Sequence, residues 1–157
     1  VLERGHVGDQ VERLKDDATA KIVFLGDKNG QQIAGCGDLN SIDTTSLASL
    51  TAGNVAATDG LAKLIGEKEF SILFHEGERD NLHISLVGKR GILVVIFDNR
   101  STLGLVRLRV RKASEDLDKV FDIIDEKAKK QYEGETEYES PFAEITEDDI
   151  DKLFGDN

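Results

Sequence analysis

The sequence predicts a small α/β domain of order α-β-β-α-β-β-β-α, with an antiparallel sheet covered by helices and a flexible tail beyond it. Three observations carry this. Period-3.6 apolar patterns open, divide and close the body of the chain. Between them lie short β-branched runs separated by turns too tight for crossovers, which makes the sheet antiparallel. The last stretch loses both patterns and turns acidic.

The elements follow in order. Val7, Val11, Leu14 and Ala18 recur at spacings of four, three and four, one face of a helix over residues 7–18. Ala20–Asp27 is rich in Val, Ile and Phe and reads as a strand; Asn29-Gly30 turns the chain, and Gln31–Gly37 returns it. Asp43 is placed to cap a long helix over 44–66, and Gly66 to end it. Phe70–Glu76, Asn81–Val87 and Gly91–Asp98 are strands. The continuous run Ile92–Phe97 marks the last as central, and Gly88-Lys89-Arg90 allows only a hairpin. Ser101 is expected to cap the final helix, whose apolar positions Leu103, Val106, Val110, Ala113, Leu117, Val120 and Ile124 alternate spacings of three and four. Residues 1–130 form the domain. Residues 131–157 form an acidic linker, flexible over 131–140, with a short amphipathic C-terminal segment.

Composition bounds the function. The 157 residues are 39 % hydrophobic, enough for one modest core. The chain opens at Val1, and loss of the natural N-terminus is expected. Residues 131–157 carry ten acids against one base, a net −9 of the chain's −11, which leaves −2 for the body. No basic cluster offers phosphate contacts, and an anionic membrane surface would repel the tail. No apolar run reaches the ~20 residues of a membrane span. The single cysteine, Cys36, forms no intrachain disulfide and fits a reducing, cytoplasmic setting.

Chemistry is hard to find. Gly35 and Gly37 lack the Lys-Ser/Thr of a phosphate loop. Cys36, His6, His75 and His83 lack metal-ligand spacing, and no carboxylate pair is singled out. No catalytic residue, metal or cofactor is expected. His83, on an alternating strand, reads as a surface or interface residue.

Two surfaces remain. In the central helix, Leu47, Leu50, Leu61, Leu64 and Ile65 form an apolar stripe expected to pack inward. Ala48, Ala52, Ala56 and Gly60 recur every fourth residue on the opposite side, with Gly53 and Ala57 beside them. A glycine inside a helix costs about 1 kcal/mol relative to alanine, so a merely solvated face would not keep two. The strip accommodates the close approach of another backbone, either a neighbouring element, a second copy or a partner. In the tail, Thr146 precedes Glu147–Asp149, and Ile150, Leu153 and Phe154 follow at helical spacing. This is the pattern of a helix-in-groove ligand or of a turn folded back on its own domain.

The stretches Ile42–Ala57, Leu61–Glu67, Phe74–Gly77, Val94–Asp98 and Leu103–Arg109 resemble the bacterial MglB family of Roadblock-domain proteins. So do the tail segments Ser140–Ile145, Asp148–Asp151 and Leu153-Phe154, and the resemblance extends from about Ala20 to Phe154. It implies a homodimer of Roadblock fold that binds the small Ras-like GTPase MglA, two subunits to one GTPase. It further implies stimulation of GTP hydrolysis without an arginine finger, in cell polarity and gliding motility at a cell pole. On the resemblance, the partner-binding residues are Ala52, Ala56, Gly60 and Lys63 of the helix, and Phe142, Ile145, Ile150, Leu153 and Phe154 of the tail. The tail motif implies a second docking point and a role in nucleotide exchange. The alternative readings are a non-catalytic homodimeric scaffold that localises a GTPase or motor component, and a small-molecule sensor.

Overall fold

A computed structural model describes residues 2–137. Its elements are α1 (Leu2–Ala18), β1 (Ile22–Asp27), β2 (Gln32–Gly37), a 3-10 turn (Leu39–Ser41), α2 (Thr44–Leu64), β3 (Ile72–Glu76), β4 (Asn81–Val87), β5 (Gly91–Phe97) and α3 (Leu103–Glu137). The order is the expected one. The chain divides after Val120; of the part beyond it, residues 121–137 are described and are helical.

All strand pairs are antiparallel, in the spatial order β2-β1-β5-β4-β3. β5 is the middle strand, which explains its unbroken apolar run: both of its faces are covered. Pairing fixes which side chains share a face. Phe24, Val94, Ile84 and Leu73 stand in one row across the sheet, and Val23, Val95, His83 and Phe74 in a row on the opposite face. The first face carries the core formed with Ala48 and Val55 of α2. On the other face α1 buries Val7, Val11, Leu14 and Ala18, and α3 buries Val106, Val110, Ala113 and Leu117, as their spacings predicted.

Local signals act largely as read. The Asp43 carboxylate accepts from the Thr45 and Ser46 N–H groups at 3.1 and 3.2 Å and from the Ser46 hydroxyl at 2.9 Å. Those bonds, the Ser46 hydroxyl foremost, hold its carboxyl below the ordinary carboxylate range. Gly66 ends α2 with φ of 83°, its N–H bonded to Lys63 O and that of Glu67 to Ala62 O. That pair of bonds is a Schellman cap. In the β1–β2 turn, Asp27 Oδ1 accepts from the N–H groups of Asn29 and Gln31, and Gly30 takes φ of 84°.

Two expectations need correction. Ser101 does not cap α3. Its hydroxyl donates to the carbonyl of Ala18, tying the end of α1 to the start of α3, while Thr102 Oγ1 accepts from Leu105 N–H. Ser101 is buried and Thr102 exposed, so the inner hydroxyl meets an unpaired helix carbonyl and the outer one takes the cap. Second, α3 continues through Gln131–Glu137, into the stretch read as flexible linker. Loss of apolar periodicity there removes a packing face without removing helix propensity, since Gln and Glu are good helix formers. Residues 138–157 lie outside the described residues, and with them the expected C-terminal segment.

Gly37 has φ of 97°, and an added Cβ would strike the carbonyl oxygen of Lys21. Gly37→Ala is therefore expected to lower stability by about 2 kcal/mol or more, read as a drop in melting temperature.

Candidate functional surface

The large stripe of α2 mostly points opposite to the sequence reading, and the small-residue strip runs from buried Ala48 to exposed Ala56 and Gly60. The residues pressed on the sheet are Ala48, Thr51, Val55 and Ala62, with Leu47 half-buried against the same core. The large side chains expected inside point outward instead: Leu50 is 73 % exposed, Leu61 59 %, Leu64 83 % and Ile65 68 %. The cause is steric. Phe24, Ile84, Ile92 and Val94 already fill the space above the sheet, so the helix meets them with its small residues.

The candidate contact residues divide accordingly. Ala52 is half-buried and packs on the core, whereas Ala56, Gly60 and Lys63 are exposed and lie on successive turns of α2. The exposed line therefore borders the leucine stripe. An added Cβ at Gly53 or Gly60 would meet nothing within 4 Å among the described residues. Packing among the described residues does not require either glycine, although each weakens the helix. The face thus combines an unburied apolar stripe with bare backbone. Phe142, Ile145, Ile150, Leu153 and Phe154 lie outside the described residues.

Sequence reasoning missed the outward leucines. The usable signal was that Ala48, Thr51, Val55 and Ala62 are spaced by three, four and seven, as regular as the leucines.

Reactive groups are muted. Cys36 Sγ donates to Val11 O at 3.4 Å, and burial pushes its thiol up, away from a reactive thiolate. Among the described residues no three His, Cys, Asp or Glu side chains cluster as metal ligands, and no helix is long and apolar enough to cross a membrane.

His83 corrects another expectation: it is fully buried, because the face opposite α2 is itself covered by helices. Burial, with the nearby Arg107 charge adding to it, pulls its pKa below the ordinary 6.5. A lowered folded value means that the unfolded chain binds the proton first. Stability is thus fully present above pH ~6.5 and falls as the pH drops below it, by up to about 1.4 kcal/mol per unit from this residue. His83→Leu is expected to flatten that part of the pH–stability curve measured by urea unfolding.

The Roadblock/LC7 domain profile matches residues 6–97. Among solved structures, Myxococcus xanthus MglB is 60 % identical, with 76 % of this chain and 90 % of that one covered at a TM-score of 0.74. A gliding protein MglB from Thermus thermophilus is 34 % identical, with coverages of 75 % and 90 % and a TM-score of 0.70. An MglB described with a tetrameric arrangement is 32 % identical, with coverages of 75 % and 89 % and the same score. Comparison with curated protein sequences gives no match.

Proposed function

The chain belongs to the Roadblock/LC7 family, among the MglB proteins, and on that premise we propose that it is a GTPase-activating regulator of a small Ras-like GTPase of MglA type. The observation that carries the reading is the outward face of α2, an exposed leucine stripe beside a glycine- and alanine-lined strip. The stripe is the surface for a second copy, which makes the working unit a homodimer. The strip, through Ala52, Ala56, Gly60 and Lys63, is where switch segments of the GTPase come close, one GTPase to two subunits. A regulator with no arginine finger accelerates hydrolysis by binding the partner better in its transition-state arrangement than in its ground state. In this reading the protein acts at a cell pole, in polarity and gliding motility. The tail, with Phe142, Ile145, Ile150, Leu153 and Phe154, docks a second time on the GTPase and promotes exchange.

The test is GTP hydrolysis by the MglA-type partner with and without the purified protein. The full chain is expected to raise the rate. A chain cut after Glu137 is expected to remain folded and dimeric while acting more weakly. Binding with no change in hydrolysis would sink the activator reading and leave a passive scaffold.

A further inference from the structure

The near-neutral body conceals a local imbalance. Residues 99–114 hold five cations, Arg100, Arg107, Arg109, Arg111 and Lys112, and no acid, in a chain of net charge −11. Arg100 is paired with Asp98, and the other four fall within one stretch of α3. Arg107, Arg111 and Lys112 are exposed, and Arg109 is half-buried. None of the four makes an ion pair among the described residues. Away from the buried line of Val106, Val110 and Ala113, the helix carries Gly104 and Leu108, one turn apart and both exposed. Leu108 is a large apolar side chain left in solvent, and an added Cβ at Gly104 would meet nothing within 4 Å among the described residues. Arg111 and Lys112 follow Leu108 by three and four residues, so they flank it on the helix surface. This face is an apolar point inside a cationic rim, on a chain that is otherwise acidic.

The same chain contains a segment of the opposite character. Residues 138–157, which lie outside the described residues, hold seven acids against Lys152 alone, with Ile150, Leu153 and Phe154 at helical spacing. We propose that this segment of a second copy docks on the outer face of α3, its carboxylates against Arg107, Arg111 and Lys112 and its apolar side chains on Leu108. Charge favours a second copy over the same one. Residues 115–137, which lead to the segment, hold nine acids against four bases and repel an acidic segment returning along them. Opposite charges at exposed positions steer the encounter and fix its register, and burial of the apolar side chains supplies affinity. A segment held this way withdraws Leu153 and Phe154 from other contacts, so the face is a holding site for the tail. The proposal concerns the protein alone and stands whether or not the tail also docks on a GTPase.

The test is zero-length cross-linking of the full chain with a carbodiimide, which joins the Lys112 amine to a carboxylate only where the two touch. Denaturing electrophoresis separates single from doubled mass, and mass spectrometry identifies the linked peptides. Lys112 joined to a carboxylate of residues 138–157 is expected in the band of doubled mass. Arg107→Gln with Arg111→Gln keeps Lys112 and changes only exposed positions; it is expected to lower that yield about fivefold or more. Leu153→Ser with Phe154→Ser keeps every tail carboxylate and alters no described residue, and is expected to lower the yield about threefold or more. Absence of a Lys112 link to the segment, a link confined to the band of single mass, or a yield unchanged in either double variant would overturn the proposal.

Discussion

Ala56→Arg combined with Gly60→Arg is expected to leave the chain folded and to abolish the proposed stimulation of GTP hydrolysis. Both positions are exposed, and a side chain at Gly60 begins in open space. Replacing an exposed mid-helix glycine by arginine even favours the helix by close to ~1 kcal/mol. Lost stimulation would therefore report on the surface and not on stability. Two long cations on a strip suited to close backbone approach are expected to weaken the complex a hundredfold or more, equivalent to about 2.7 kcal/mol. Single-turnover hydrolysis read beside thermal melting decides it. Full stimulation by the variant would remove this line from the contact surface. The milder Gly53→Ala with Gly60→Ala is informative on the same grounds, since it should raise the melting temperature while weakening partner binding.

Leu61→Glu with Leu64→Glu is expected to turn the proposed dimer into a folded monomer. A buried leucine contributes roughly 1.5–3 kcal/mol, and two-fold symmetry counts each position twice. Four lost side chains thus remove about 6–12 kcal/mol of gross apolar stabilisation, and the introduced carboxylates repel across the axis. Sedimentation velocity at micromolar concentration is expected to give a monomer with an unchanged far-ultraviolet spectrum. Persistence of the dimer would show that the outward leucines serve another contact. The two double variants also separate the two roles proposed for α2. The arginine pair borders the stripe and tests partner contact, whereas the glutamate pair lies within it and tests self-association.

Much of the candidate surface was legible as a feature but not as a direction. The glycines of α2 stood out because they weaken a helix, and the space around Gly53 and Gly60 gives that observation a physical sense. The leucines stood out as well, but on the wrong side. His83 failed for a related reason. Alternation along β4 separates two faces, and reading one as solvent assumes a sheet covered on a single side. Here α1 and α3 cover the second face, so the residue assigned to the surface is buried.

What the sequence by itself determined is everything set by near neighbours along the chain. That covers the order of elements, the Asp43 cap, the Gly66 stop, the glycine-led turn after Asp27 and the inward faces of α1 and α3. Each rests on hydrogen bonds, allowed φ or a periodicity within a few residues. The tertiary structure decided what depends on distant partners: the pairing of β1 with β5, the burial of His83, and which stripe of α2 meets the sheet. Periodicity fixes the phase of a helix face but not its sense. With a small stripe and a large stripe equally regular, the choice fell to the sheet, whose Phe24, Ile84 and Val94 are met mainly by the small side chains Ala48 and Val55, with Leu47 at the margin.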